Sequence, residues 1–345
     1  MSIALDVGNS HMRSLRRQQY RLIGRGCRSL FTAMTDRKSH REILSRLDVP
    51  YLAIEGQLVV AGDNADGVAE MFRIPTTRLI PTDPLGKYSV AARQAISKLI
   101  DALLPAPRHS NEVCCFTVGG LSGDSGGRGN EVNEFVAEFI QRRGYQPLGI
   151  GSATAVALAE LGDQALTGVG ITLGAARCET ALVCHGVELS RSSVARGGDW
   201  IDEQLAAQQS LFFWDQAGKR HLDVRAARVW KESNAGSVLS PTSAEDRQLA
   251  TLYHDLVDDV LAAVRDAFTS APHAFDALQP VGFVCAGGTA SHPGFREIML
   301  DELRKNPFPF GIKQVQIVGA WEYSAARGCL IRATLEEETM RKRAA

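Results

Sequence analysis

The chain has 345 residues, enough for two domains with sizeable cores. Hydrophobic residues make up 45% and charged residues 22%, as in typical soluble proteins, which excludes a disordered chain or a fibrous repeat. The 38 Lys and Arg residues nearly balance the 39 Asp and Glu residues, so net charge provides no general attraction to nucleic acid or anionic lipid.

The cysteines and the N-terminus bear on the cellular compartment. The seven cysteines form no CxxC pair, and most lie in apolar runs such as VCCF, ALVC and GFVC. This pattern predicts buried thiols in a reducing cytoplasm rather than a zinc site or a disulfide framework. The strand-like IALDV near the N-terminus leaves no room for a secretion signal, and no apolar run is long enough to cross a bilayer. We therefore expect a cytoplasmic protein with no transmembrane segment and no nucleic-acid partner.

Apolar β-rich runs alternate with helical periodicity, which is the pattern of layered α/β proteins. The predicted strands are Ile3–Val7, Tyr51–Glu55, Leu58–Ala61, Val113–Val118, Val169–Leu173, Thr180–Cys184 and Val281–Cys285. The predicted helices are Val90–Leu104, Asn130–Arg143, Ala153–Leu161, Trp200–Ser210, Ala244–Ala271 and Pro293–Lys305.

Three segments between these elements are open to more than one interpretation. The arginine-rich run 13–28 favours a solvated strand-and-loop surface over a nucleic-acid or lipid patch. The glycine-rich stretch 119–129 predicts either a cleft loop or a surface insertion. The aromatic cluster LFFW at 211–214 is predicted to be buried at the end of the helix that starts near Trp200, with a membrane-inserting loop as the alternative.

The first of three glycine turns follows the first predicted strand, in the sequence IALDVGNS. Gly8 allows backbone N–H groups to approach a phosphate, and the carboxylate of Asp6 is a ligand type suited to hydrated Mg²⁺. A simple β-turn without a ligand accounts for the same residues.

The other two turns also follow apolar strands. The stretch 169–186 predicts a hairpin with a small-residue bend at Gly174, with or without a ligand. The stretch 281–295 ends a strand at Gly287 and Gly288, and Pro293 is predicted to lie just inside the following helix. Paired glycines at a strand end allow a flat ligand to lie against the backbone.

These turns, with RGGDWIDEQL (196–205) between the second and the third, resemble the actin, sugar-kinase and heat-shock-chaperone superfamily, and MreB, the bacterial actin, most of all. DVGNS resembles its first phosphate loop, and SATAVAL (152–158) resembles its first connecting helix. CAGGTASHPGFREIM (285–299) is similar to the adenosine motif, and EYSAARGCLIRA (322–333) to the terminal helix.

The resemblance implies a two-lobed actin-like ATPase fold, with duplicated doubly wound α/β domains and an interlobe cleft. It implies a first lobe at 1–150 with a small insertion at about 20–80, and a second lobe at 151–345 with an insertion at about 187–260. ATP or ADP with Mg²⁺ would occupy the cleft, and the chains would self-associate into filaments.

The resemblance also carries the expected site residues. Asp6 is the expected metal ligand and, with the others, a nucleotide-binding residue. The remaining nucleotide-binding residues are Gly8, Asn9, Ser10, Gly174, Ala175, Ala176, Arg177, Gly198, Lys231, Glu232, Gly287, Gly288, Thr289 and His292. Glu131 and Glu134 are the candidates for positioning the attacking water; each can equally be a carboxylate favoured by a helix N-terminus.

The second phosphate loop departs from the family pattern. Thr172 stands where the family has an Asp, and Ala175 and Ala176 replace glycines. Arg177 either contacts a phosphate or is a surface arginine. At the ribose site Arg228 replaces a Glu, and Glu232 can take its part.

These observations favour an actin-like cytoskeletal or scaffold protein with weak or absent ATP hydrolysis. A PilM-like adaptor with a membrane-machine partner is the second hypothesis. A small-molecule kinase resembling type III pantothenate kinases is the third, and it lacks a convincing catalytic Asp beside the second loop.

Overall fold

The computed structural model describes residues 2–80, 89–109, 112–119, 128–215, 217–233, 236–270, 280–308 and 311–344. Within these ranges the strands are β1 Ile3–Val7, β2 His11–Gln18, β3 Arg21–Arg28, β4 Leu30–Thr35, β5 Leu52–Ile54, β6 Gln57–Ala61, β7 Thr77–Arg78, β8 Val113–Val118, β9 Gln146–Gly149, β10 Gly168–Leu173, β11 Cys178–Cys184, β12 Val187–Val194, β13 Phe212–Trp214, β14 Arg220–Leu222, β15 Val281–Ala286 and β16 Ile312–Ile317.

The helices lie between and after these strands. They are α1 Lys38–Arg46, α2 Asn64–Phe72, α3 Val90–Leu103, α4 Arg128–Arg142, α5 Ser152–Glu160, α6 Gly198–Gln208, α7 Val224–Ser233, α8 Ala244–Ser270, α9 Phe295–Lys305 and α10 Ser324–Ala344. Among the described residues, none of these helices is both long and apolar enough to cross a membrane.

Two five-stranded sheets of the same topology form the two lobes. The first has the order β3-β2-β1-β8-β9 and the second the order β12-β11-β10-β15-β16. In each sheet the first three strands form an antiparallel meander. The fourth strand pairs parallel to the third, and the fifth pairs parallel to the fourth. The repeated order confirms the predicted duplication of a doubly wound domain.

Strand sequences follow their positions in the sheets. Every residue of β8 and of β15 is buried, as expected for parallel strands covered on both faces. By contrast, β3 is an edge strand with most of its residues exposed, and its arginines discourage pairing with another chain. The arginine-rich run 13–28 is thus a β-hairpin whose outer strand is solvated.

Two smaller sheets complete the fold. A four-stranded sheet of order β5-β6-β4-β7 lies within the segment where the first insertion was predicted. The β13–β14 hairpin lies within the second. The boundaries of the lobes remain predictions.

Two helices pack closely between the large sheets. Gly328 of α10 crosses α5 so closely that a Cβ atom at this position would lie 1.7 Å from the backbone oxygen of Ala155. Helix α10 also contacts β1 and β8, so the last helix returns to the first sheet. Helices α5 and α10 therefore connect the two lobes at the base of the molecule.

The predicted helices are confirmed to within a few residues, but two local predictions are wrong. Helix α6 ends at Gln208, and the aromatic cluster enters strand β13 because Phe212 pairs with Leu222 in a hairpin. Trp214 is 58% exposed, so the cluster is not fully buried. Helix α9 begins at Phe295 with Gly294 as its N-cap, which leaves Pro293 just outside it.

Candidate functional site

A cleft of about 590 Å³ lies between the two lobes. It brings together the ends of β1, β10 and β15, which carry the three glycine turns. The nucleotide-binding residues predicted from the sequence all line it: Asp6, Gly8, Asn9, Ser10, Gly174, Ala175, Ala176, Arg177, Gly198, Lys231, Glu232, Gly287, Gly288, Thr289 and His292. Residues far apart in the sequence therefore converge as the sequence predicted.

The first turn is held at the end of β1. The backbone amide of Gly8 donates to the backbone oxygen of His11 at 3.0 Å. The side-chain amide of Asn9 donates to the backbone oxygen of Ile80 at 3.3 Å. Asp6 accepts a hydrogen bond of 2.8 Å from the hydroxyl of Thr117 on the parallel neighbour β8. Burial raises the pKa of Asp6, and the Thr117 hydrogen bond opposes this shift.

The second turn joins β10 to β11 and contacts the start of α6. The amide of Gly174 donates to the backbone oxygen of Arg177 at 3.1 Å, which closes the bend. The amides of Gly198 and Asp199 donate to the backbone oxygens of Gly174 and Ala175 at 2.9 and 2.7 Å. The RGGDWIDE segment therefore fixes the shape of this turn through backbone bonds.

The third turn requires glycine for its shape. Gly287 has a φ of 119°, and a Cβ atom there would lie 2.3 Å from the backbone oxygen of Leu173. Gly288 lies under the indole of Trp321, which also has the guanidinium of Arg13 at 5.5 Å from its ring centre. This wall of the cleft is therefore flat, with a backbone surface beside an aromatic ring.

His292 forms a second flat surface in the cleft. Its ring stacks on that of Tyr253 with centroids 5.0 Å apart, and its Nε2 lies 3.1 Å from the backbone oxygen of Gly236. Burial lowers the pKa of His292, which keeps the ring neutral near pH 7.

A buried carboxylate organises the basic residues of α7. The Nζ atom of Lys231 lies 2.5 Å from Oδ1 of Asp202, and Nε of Arg228 lies 3.5 Å from Oδ2. Burial raises the pKa of Asp202, and the charge of Lys231 opposes that effect. Arg228 therefore pairs with Asp202, while the neighbouring Glu232 is an exposed carboxylate at the edge of the cleft.

Two ion pairs join the lobes across the cleft. Arg78 of β7 forms a two-pronged pair with Asp199 of α6 and donates to the backbone oxygen of Asn9 at 3.3 Å. Arg225 of α7 pairs with Glu70 of α2 at 2.8 Å. Sequence reasoning missed both pairs, since their partners are 121 and 155 residues apart.

The candidates for positioning water lie elsewhere. Glu131 and Glu134 are exposed residues of α4 and are not among the residues that line the cleft. Residues 120–127 of the glycine-rich stretch, which precede this helix, lie outside the described residues. A catalytic role for either glutamate stays a prediction.

The cleft also contains charged residues that the sequence analysis did not select. Arg13, Arg28 and Arg78 enter from the first lobe, and Glu179 enters from β11 of the second. Glu179 was detectable in principle, because it lies in a short strand directly after a phosphate-loop candidate. The arginines gave no such signal, since their approach depends on the lobes facing each other.

Comparison with known proteins establishes the family. A family model described as Volactin matches residues 1–333, nearly the whole chain. The chain belongs to the Volactin family. No curated protein sequence matches this volactin-family chain.

Solved structures of bacterial actins share the fold of this volactin-family protein. A MamK double helical filament matches with a TM-score of 0.66 and 16% identity, covering 97% of this chain and 99% of the other. MreB5 of Spiroplasma citri bound to AMPPNP matches with a TM-score of 0.67 and 13% identity, covering 99% and 98%. The same protein bound to ADP matches with a TM-score of 0.64 and 13% identity, covering 99% and 97%. The predicted actin-like fold of MreB type is therefore confirmed.

Proposed function

We propose that this protein binds an adenine nucleotide in the interlobe cleft and assembles into actin-like filaments, with slow or absent ATP hydrolysis. The observation that carries the proposal is the convergence of the three glycine turns on one cleft. Similar structures are described as bound to AMPPNP and ADP, and one as a double helical filament. Because the sequence predicts a cytoplasmic protein, the filament we propose is cytoplasmic. The adaptor and kinase alternatives stay predictions.

Each part of the nucleotide has matching chemistry in the cleft. Backbone N–H groups at Asn9 and Ser10 suit phosphate oxygens, and arginines that line the cleft belong to the residue type that makes two-pronged contacts to phosphate. The flat surface at Gly287 and Gly288, beside the Trp321 indole, suits a purine base. Lys231 and Glu232 lie where ribose hydroxyl groups would find a donor and an acceptor.

Magnesium would enter with the phosphates. Among the described residues, no group of three or more His, Cys, Asp and Glu side chains is placed to hold a metal by itself. Mg²⁺ usually keeps several waters and takes one or two carboxylates together with substrate phosphates. Asp6, which is partly buried and lines the cleft, suits that part. Its charge would anchor the hydrated cation against the nucleotide.

Slow hydrolysis follows from the second turn. Thr172 offers a neutral hydroxyl where the resemblance to MreB implies a carboxylate, and removal of one preorganised electrostatic contributor costs about 10²–10³ in rate. Phosphate release from ATP should therefore be at least about a hundredfold slower than from an MreB protein assayed alongside. Equal rates for the two proteins would contradict this part of the proposal.

A filament forms when the contact between subunits does not close them into a ring. A chain whose two ends offer different, complementary surfaces adds subunits head to tail without limit. The two lobes of this chain differ in their insertions, a four-stranded sheet in the first and the β13–β14 hairpin in the second, so they offer different surfaces.

Calorimetry with ATP, together with light scattering, tests the proposal. The matched variants are Asn9→Asp, which adds a negative charge to the first turn, and Asn64→Asp, which adds the same charge at an exposed position of α2. We expect Asn9→Asp to weaken ATP binding at least about tenfold, equivalent to about 1.4 kcal/mol, and Asn64→Asp to leave it unchanged. Absence of both ATP binding and scattering in the wild type would refute the function.

A further inference from the structure

The cleft holds a carboxylate on the strand next to position 172. Thr172 of β10 lies directly opposite Glu179 of β11 in the antiparallel pair. Residues directly opposite each other have side chains on the same face of the sheet, with Cβ atoms about 4.5–5.5 Å apart. Glu179 can therefore place its carboxylate in the region that an aspartate at position 172 would occupy.

The contacts of Glu179 hold it in that region. The hydroxyl of Ser152, the first residue of α5, lies 3.1 Å from the hydroxyl of Thr172 and also donates to a carboxylate oxygen of Glu179. Glu179 is 2% exposed, yet it lines the cleft. Its carboxylate is therefore desolvated and oriented before any ligand arrives.

Asp6 of β1 and Glu179 of β11 both line the cleft. Asp6 and Glu179 come from the central strand of one lobe and the second strand of the other. Together they supply the one or two carboxylates that Mg²⁺ takes in addition to phosphates and water.

We propose that Glu179 supplies, from the neighbouring strand, the carboxylate that Thr172 lacks, and with Asp6 positions the divalent cation of the bound nucleotide. The proposal rests on nucleotide binding in this cleft. It also explains Thr172, because an aspartate opposite Glu179 would place two like charges together in a desolvated pair. Because Ser152 donates to an oxygen of Glu179 and orients the carboxylate, Glu179 is a positioning group.

The test measures how strongly Mg²⁺ improves binding of a fluorescent ATP analogue to the full chain, as the ratio of dissociation constants in EDTA and in Mg²⁺. Glu179→Gln keeps the size of the side chain and an acceptor for Ser152 but removes the charge. We expect it to reduce this ratio about 10- to 100-fold, the range typical of groups that support metal ligands. Its binding in EDTA should be equal or tighter, because a negative charge near the phosphates is gone.

Two further variants make the test specific. Thr172→Asp combined with Glu179→Gln moves the carboxylate back to β10 and should restore most of the Mg²⁺ ratio. Glu188→Gln is the matched control: Glu188 also contacts a hydroxyl of α5, that of Thr154, but does not line the cleft. It should keep the wild-type ratio.

The outcomes separate this inference from the proposed function. A wild type that binds no nucleotide under either condition refutes the function. Nucleotide binding with no Mg²⁺ effect, or an unchanged ratio in Glu179→Gln, refutes the role of Glu179 alone. If Glu179→Gln does not fold, Glu179→Asp is measured instead, because it keeps the negative charge but moves it back by one methylene. A ratio of dissociation constants in EDTA and in Mg²⁺ equal to that of the wild type would overturn the proposal.

Discussion

The ion pair between Arg78 and Asp199 should hold the lobes in the closed arrangement. Their side chains are 16% and 15% exposed, and Arg78 also donates to the first turn through the backbone oxygen of Asn9. Asp199 lies in the first turn of α6, where the helix dipole favours a negative charge. The pair therefore links the first turn to the segment that shapes the second.

Its magnitude follows from its burial. Removing one partner of a fully buried ion pair costs about 3–5 kcal/mol, whereas an exposed pair contributes about 0.2–1 kcal/mol. A pair that is mostly buried should lie between these limits, at about 2 kcal/mol, which corresponds to about a 30-fold change in an opening equilibrium. Arg78→Ala also leaves Asp199 close to Asp202 and Glu203, whose charges already act on one another.

Pulsed electron resonance can measure the opening. Spin labels carried by unnatural amino acids at Leu47, after α1, and at Val229, on α7, report the distance between the lobes from two exposed sites. Wild type should give one short distance, and Arg78→Ala should add a population at longer distance. The matched control is Arg225→Ala, which breaks the interlobe pair with Glu70, 45% and 64% exposed.

This control should shift the population severalfold less, because a solvated pair contributes little. An unchanged distance distribution in Arg78→Ala, or an equal response to the two substitutions, would show that this ion pair does not hold the lobes closed. Asp199→Asn should reproduce the effect of Arg78→Ala if the pair itself, and not the packing of the arginine stem, is responsible.

Two further predictions concern stability. Gly287→Ala should lower the free energy of unfolding by about 1–3 kcal/mol or more, because it adds strain at positive φ and a close contact with the backbone of Leu173. Gly67→Ala, in the open interior of α2, should raise the free energy of unfolding by about 0.5–1 kcal/mol. Chemical denaturation in which both variants shifted in the same direction would contradict this. Burial, with the charges of Arg13 and Arg28, lowers the pKa of His11 to about 4, so stability should fall as pH decreases from about 6.5 to 4 while the unfolded chain takes up the proton. The loss should be on the order of 1–2 kcal/mol after solvent screening, and it should be absent in His11→Gln; melting curves with the same pH slope for both proteins would exclude His11 as the cause.

Local chemistry made the turns and the long helices predictable. The strand ending at Val7 and the strand ending at Ala286 are apolar runs closed by glycines. Helix α3 begins at the predicted Val90, after Ser89, whose hydroxyl accepts from the amide of Ala92. The turns therefore followed from patterns within each segment, whereas their convergence on one cleft was implied by the resemblance to MreB.

The rest depends on register and on contacts between lobes, which periodicity does not encode. Phe212 enters a strand because its partner Leu222 lies ten positions further on in a hairpin, and apolar content alone also suits a helix end. The function of Glu179 depends on its pairing opposite Thr172, which one residue of register shift would abolish. The pair between Arg78 and Asp199 exists because the two lobes face each other.

An electron cryomicroscopy reconstruction of the protein incubated with Mg²⁺ and AMPPNP would show nucleotide binding and filament assembly in one experiment. We expect filaments in which every subunit carries nucleotide density in the cleft, with the phosphates at Gly8 and the base against Gly288 and Trp321. Filaments with an empty cleft, nucleotide bound elsewhere, or dispersed subunits at high protein and nucleotide concentration would contradict it.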